Sequence, residues 1–381
     1  MMPRPPSRRL LQAIGRTAVV LCLLALALTA SGCTRPQAQP HYTYTIPERL
    51  DDGWEVSSLA AEGIDTPTIV RLTEQIEQDE YNAVHGCLIV KNGLLVYEEY
   101  FHGFRREKLH RLYSVTKSVT SALIGIAIDR GQIGGVDETV VSFFPEYVDE
   151  GWDHAKDAIT LEHLLTMTAG LKYDEHSYAY SDPRNSHTQM TEARDWMRWT
   201  LEQPLVARPG TRFAYSTGNS QLFSGIIHKA TGLYANQFAE ECLFAPLGIQ
   251  DYFWTIGGNF PATGGSNGGL KLCARDMAKF GYVYLTGGRW KGVQVVPEEW
   301  VEESLVSRIQ AWGGAQYGYQ WWIHRSRVAG TEIDWFAAHG HGDQLIALFP
   351  SLDLVVVLTC GNEQSPAPVD NAVLAIAEAA S

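Results

Sequence analysis

Ser114 and Lys117 stand three residues apart at the start of "YSVTKSVTSALIGIAIDRG" (113–131). On a helix that spacing stacks both side chains on one face, about one turn apart. The valines, leucines and isoleucines around them would strip water from Lys117, and burial disfavours the charged ammonium. A neutral lysine amine can take the proton of a serine hydroxyl, so the pair reads as a nucleophile and its base. Serine in a first helical turn also sits beside unpaired backbone N–H groups that can face a developing oxyanion. The competing reading is a helix cap followed by a lysine that snorkels to water.

The surrounding sequence supplies the elements that must hold such a pair. "CLIVKNGLLVYEEYF" (87–101) has two β-type runs around Asn92-Gly93, a hairpin signal. The stretch from Tyr113 to Arg130 predicts a buried helix that stops at Gly131. "DAITLEHLLTMTAGL" and "TGNSQLFSGIIHKATGL" predict helices ending at Gly170 and Gly232. Between them, Lys172 to Thr188 is polar and tyrosine-rich, like a loop that covers a pocket. Strand-like runs return in "YGYQWWIH", "DQLIALF" and "DLVVVLT", and a last helix follows the Pro366-Ala-Pro368 break. Strands, a long helical stretch over about 130–310, then more strands predict an α+β fold. Its antiparallel sheet is flanked by helices, and a mostly helical lobe is inserted.

The N-terminus reads as an address. Arg4, Arg8, Arg9 and Arg16 precede the apolar run Ala18–Thr29, which is short for a membrane span of about 20 residues. Gly32-Cys33 resembles a bacterial lipobox, although Ala30 stands where leucine is usual. We expect residues 1–32 to be a secretory signal, Cys33 to carry lipid, residues 33–50 to be a tether, and 51–381 to fold. That places the protein in the cell envelope, anchored to a membrane on the periplasmic side.

The formal net charge is −13, and residues 1–32 hold four arginines and no acid, so the remainder is more acidic still. No dense basic patch is left for nucleic acid. Cys87, Cys242, Cys273 and Cys360 show no C-x-x-C spacing, which speaks against a metal site and suits four small buried hydrophobes. No cofactor is expected.

Seven ordered landmarks carry a resemblance: "YSVTKS" (113–118), "LEHLLTMTAGL" (161–171), "PGTRFAYSTGNSQL" (209–222), "PLGI" (246–249), "GGLKLCARDMAKFG" (268–281), "YGYQWW" (317–322) and "HGHGDQ" (339–344). Over about residues 50 to 375 the chain resembles the serine hydrolases related to class C β-lactamases. That group includes D-alanyl-D-alanine carboxypeptidases, esterases and nylon-oligomer hydrolases. The resemblance implies an acyl-enzyme on Ser114 with Lys117 as general base. The family's second motif, a tyrosine followed two residues later by a polar residue, falls on Tyr215-Ser216-Thr217. It implies that Tyr215 relays protons, aided by a lowered pKa beside the lysine, and that Thr217 contacts substrate in place of the usual asparagine.

The family's third motif, Lys-Thr-Gly, is missing, and "HGHGDQLIALFP" brings His339 or His341 to its place. A histidine is mostly neutral at pH 7 and holds a carboxylate more weakly than lysine does. The expected substrate is therefore a small ester, amide or peptide rather than a carboxylate-bearing β-lactam. Tyr173, Tyr178 and Tyr180 on the covering loop either reach that substrate or are ordinary loop aromatics. Two rival readings stand: a true β-lactamase or D-alanyl-D-alanine carboxypeptidase, and a binding protein that kept the fold without the chemistry. All of Ser114, Lys117 and Tyr215 are present, which favours the enzyme.

Overall fold

The Asn92-Gly93 pair does turn the chain, with φ of 53° and 78°, the left-handed pair that a two-residue hairpin requires. It joins β1 (Val84–Lys91) to β2 (Leu94–Tyr100). The computed structural model describes residues 42–264, 269–365 and 367–381, and Thr43–Ser381 form one packed unit. The expected signal, Cys33 and most of the tether lie outside the described residues.

Six further strands complete the main sheet: β3 (Ile309–Gln310), β4 (Gln316–Tyr317), β5 (Trp322–Val328), β6 (Thr331–Gly340), β7 (Gln344–Phe349) and β8 (Leu354–Cys360). Their order is β3-β4-β5-β6-β7-β8-β1-β2, antiparallel throughout. Every residue of β7 and β8 is buried, so their continuous apolar runs need cover on both faces. Helices provide it. α1 (Thr66–Glu77) packs on the terminal α6 (Val369–Ala379), which reaches β5 and β8, while α5 (Ala274–Leu285) lies on β1, β7 and β8. The architecture is the expected α+β, with helices flanking an antiparallel sheet.

Between β2 and β3 the regular structure is mainly helical, with a few strands of two or three residues. α2 (Val115–Asp129) is buried from Val115 to Ala127 and stops at Gly131, whose φ is 68°. Each fully buried leucine or isoleucine on it contributes roughly 1.5–3 kcal/mol. The helix passes so close to the Trp300 ring that a Cβ on Gly125 would lie 2.1 Å from it. α4 (Thr217–Thr231) crosses α2 and ends at Gly232, as expected.

The helix expected to run on to Gly170 is shorter. α3 (Leu161–Leu165) stops early because Met167 turns left-handed (φ 59°) and its carbonyl accepts from the Ala214 N–H at 2.8 Å. A contact across the chain has replaced the helix's next turn. Cys87, Cys242 and Cys360 are buried free thiols, but Cys273 is only partly buried, and its S–H donates to Asp276 at 3.0 Å. It is not the buried hydrophobe the sequence suggested.

Candidate active site

Ser114 precedes α2 with helical backbone angles and makes no capping bond. Its Oγ lies 2.9 Å from Lys117 Nζ instead. Lys117 is 1% exposed, so it does not snorkel. The structure therefore excludes the cap-and-snorkel alternative. Burial pushes the lysine's pKa down to about 8, against an opposing pull from Glu175.

The strained turn that presents Ser114 is set by its neighbours. Tyr113 has a left-handed φ of 47°, and its hydroxyl donates to Glu363. The end of β6 presses against this turn. A Cβ on Gly340 would lie 2.3 Å from the Leu112 carbonyl and 3.2 Å from the Ser114 nitrogen, so only glycine fits. Among the described residues, neither the Ser114 nor the His341 backbone N–H has a backbone acceptor. Both residues line the cavity, so two N–H groups without a backbone acceptor belong to its wall.

Tyr215 approaches from the residues just before α4. Its phenol faces Ser114, and its ring centroid is 5.1 Å from Lys117 Nζ. Its pKa is raised well above the ordinary value, first by burial and then by Tyr317 and Glu175. The lowered value expected beside a lysine is wrong: desolvation of a phenolate outweighs one partly neutral amine. Tyr215 is a neutral phenol that can give a proton but not a ready base.

Thr217, expected to touch substrate, is 1% exposed and is not on the cavity wall. Its hydroxyl lies 3.1 Å from Lys117 Nζ and 3.0 Å from Glu175 Oε1, behind the lysine. Glu175 was not singled out in the sequence, where it is one of several acids in a polar loop. In the structure its side chain is 1% exposed.

Above Ser114 opens a cavity of about 520 Å³. The loop expected to cover a pocket does so, with Glu175, His176, Tyr178 and Tyr180 on the wall. Tyr173 is not among them: its ring packs edge-on against Trp199 and its hydroxyl donates to Met190 Sδ at 3.9 Å. His339 and His341 both line the cavity, one at the end of β6 and one in the turn to β7. His339 is 3.8 Å from Asp343, whose pKa is lowered; burial pushes it up, but bonds from His339, the Ala367 N–H and Asn362 prevail. Trp312 and Trp322, also missed, join Tyr215 in an aromatic wall with ring centroids 5.9–6.3 Å apart. Trp322 closes the landmark "YGYQWW", while Trp312 had no signal beyond aromatic richness. No lysine or arginine is on the described cavity wall, and two acidic residues, Glu175 and Asp343, line it, the Glu175 side chain itself turned away toward Thr217. Among the described residues, no group of three His, Cys, Asp or Glu side chains could hold a metal ion.

A family model described as Beta-lactamase matches residues 79–381. A 6-aminohexanoate-dimer hydrolase of Paenarthrobacter ureafaciens is 27% identical over 310 residues, 75% of either chain. Esterase EstB of Burkholderia gladioli is 29% identical over 154 residues, covering 39% of this chain and 38% of its own. A solved structure from Bacillus anthracis, provisionally named a 6-aminohexanoate-dimer hydrolase, superposes with a TM-score of 0.65 at 25% identity over 78% of both chains.

Proposed function

The chain belongs to the Beta-lactamase family, with the serine-hydrolase fold, and from that premise we propose that it cleaves small esters or amides through an acyl-enzyme on Ser114. The 2.9 Å contact between Ser114 Oγ and the buried Lys117 Nζ is the observation that carries this reading. In its neutral form Lys117 accepts the serine proton as Oγ attacks the substrate carbonyl carbon. The carbonyl oxygen takes up the negative charge between the Ser114 and His341 N–H groups. As the tetrahedral adduct collapses, Tyr215 donates its proton to the leaving oxygen or nitrogen, and Lys117 returns a proton to Tyr215. Water then attacks the acyl carbon, passing its proton to the again neutral Lys117, and that proton goes to Ser114 Oγ as the ester bond breaks.

The cavity wall supports an uncharged substrate around the scissile bond. A carboxylate there would find no lysine or arginine on the described wall, and the acidic Asp343 beside it. The names of the relatives, an amide hydrolase and an esterase, point to the same substrate classes. The arginine-rich start, the short apolar run and Gly32-Cys33 support export and lipid attachment in the cell envelope, a reading that mass spectrometry of the mature N-terminus tests.

Treatment with a serine-directed phosphonate, followed by intact mass and peptide mapping, tests the central step. We expect one adduct, on Ser114. Labelling that persists in Ser114→Ala overturns the assignment.

A further inference from the structure

We infer that Glu175 is a positioning residue that, through the Thr217 hydroxyl, aims the lone pair of Lys117 at Ser114. The inference rests on the reading of Ser114 and Lys117 as nucleophile and base.

The argument is one of hydrogen-bond direction. Glu175 holds Thr217 twice: Oε2 accepts from its N–H at 3.1 Å and Oε1 from its hydroxyl at 3.0 Å. Thr217 is the first residue of α4, so that N–H is one the helix leaves unpaired, and a carboxylate is favoured there. An ionised carboxylate only accepts. The Thr217 proton is therefore committed to Glu175, and a hydroxyl lone pair faces Lys117 Nζ at 3.1 Å. The lysine must donate to it. Once neutral, the amine has spent one N–H on Thr217, and its lone pair is free for the Ser114 hydroxyl 2.9 Å away. Without the carboxylate, the Thr217 hydroxyl could turn round, donate to that lone pair and block the base.

Glu175 also acts by charge, favouring the protonated lysine against the burial that disfavours it. Several titratable groups face this carboxylate. Tyr173, His176 and Tyr180 come from its own loop, His187 from the helix Ser186–Glu192, Lys117 from α2, Tyr317 from β4 and Tyr215 from the residues before α4. Burial lowers both histidines and raises all four tyrosines. Lys117 is thus the member of this set whose charge changes near pH 8.

The test is the pH profile of kcat/KM for p-nitrophenyl butyrate, measured on the full folded domain of Glu175→Gln, Thr217→Val and Thr217→Ser. We expect Glu175→Gln to lower the plateau about tenfold through kcat rather than KM. Its acid limb should move down by about one pH unit, because the lysine loses a favourable neighbour. Thr217→Val should lose activity similarly, and Thr217→Ser, which keeps the hydroxyl, should restore it. If Glu175→Gln melts before assay, the valine and serine pair decides the same question from the other side. An unmoved limb with kcat/KM within twofold of wild type, or a valine variant as active as the serine variant, overturns the inference. Activity surviving in Ser114→Ala would instead overturn the underlying reading.

Discussion

Lys117 and Arg275 are both buried cations, 1% and 2% exposed, yet their surroundings treat charge in opposite ways. Arg275 touches its carboxylates directly. Its Nε and Nη2 donate to Glu98 at 2.9 and 2.6 Å, its Nη1 to Asp52 at 2.8 Å, and its Nη2 also to the Glu48 carbonyl at 2.7 Å. These bonds hold the guanidinium firmly charged and pull Glu98 and Asp52 below the usual carboxylate range, despite burial that pushes them up. Lys117 has its carboxylate one hydroxyl farther away, behind Thr217. Burial then wins, and the amine gives up its proton near pH 8. Direct contact makes a structural clamp, and an interposed hydroxyl leaves an amine that can serve as the proposed base.

The largest effect expected from breaking this contrast is on stability. Arg275→Met leaves Glu98 with Arg106 and Tyr100 but strips its bidentate partner. We expect a loss of about 3 kcal/mol in chemical denaturation, the lower end for breaking a buried pair. Phosphonate labelling of the molecules that stay folded should be normal. Stability of the parent should fall as pH drops below about 4.5, since groups with depressed folded pKa values lose their contribution when protonated, and Arg275→Met should flatten that fall.

Lys117→Arg keeps charge but cannot release it near neutral pH. A loss of at least about a hundredfold in kcat/KM is expected, equivalent to about 2.7 kcal/mol of barrier. A near-normal rate would assign the proton to another group. In the parent, kcat/KM should climb with pH through about 8, because the neutral amine is the active form.

Making the base resemble the clamp sharpens the comparison further. Thr217→Asp combined with Glu175→Gln puts a carboxylate directly against Lys117. The acid limb should then rise by about one to two pH units, read from the same ester assay. The smallest expected effect concerns substrate charge. At pH 7.5 a neutral p-nitrophenyl ester should exceed nitrocefin in kcat/KM by about tenfold or more, for want of a fixed cation on the wall. A preference for nitrocefin would contradict the cavity electrostatics.

The residues legible in the sequence are those whose chemistry is local. Ser114 and Lys117 share one helical turn, and the turns at Asn92-Gly93, Gly131 and Gly232 follow from backbone preferences that glycine or asparagine satisfies. The strands β7 and β8 announce themselves as unbroken apolar runs. What stayed hidden depends on distant partners. Met167 ends α3 because Ala214 pairs with it, and no feature of residues 161–171 shows that. Glu175 looks no different from Asp174 or Asp182 until the loop folds back onto Thr217. Thr217 matched a motif position, but the motif cannot say whether a side chain faces ligand or lysine. Tyr215 was located by its motif, while its protonation was misjudged because the degree of burial is a tertiary quantity.

The loop over the cavity carries one residue that the proposed positioning role ties to the chemistry beneath it. Tyr178 and Tyr180 face the substrate space, but Glu175 is locked into α4 by two hydrogen bonds. An engineer who wished to change specificity by transplanting residues 172–188 from a relative would also be transplanting the base's tuning. Diversification can range over 177–179, provided that Glu175 and the bonds Asn185 makes to the Glu175 and Tyr178 carbonyls are kept, whereas Tyr180 also packs edge-on against His341 across the cavity. Libraries that randomise Glu175 should be dominated by slow clones whatever substrate is used for selection, which makes this position the boundary between adaptable surface and fixed machinery.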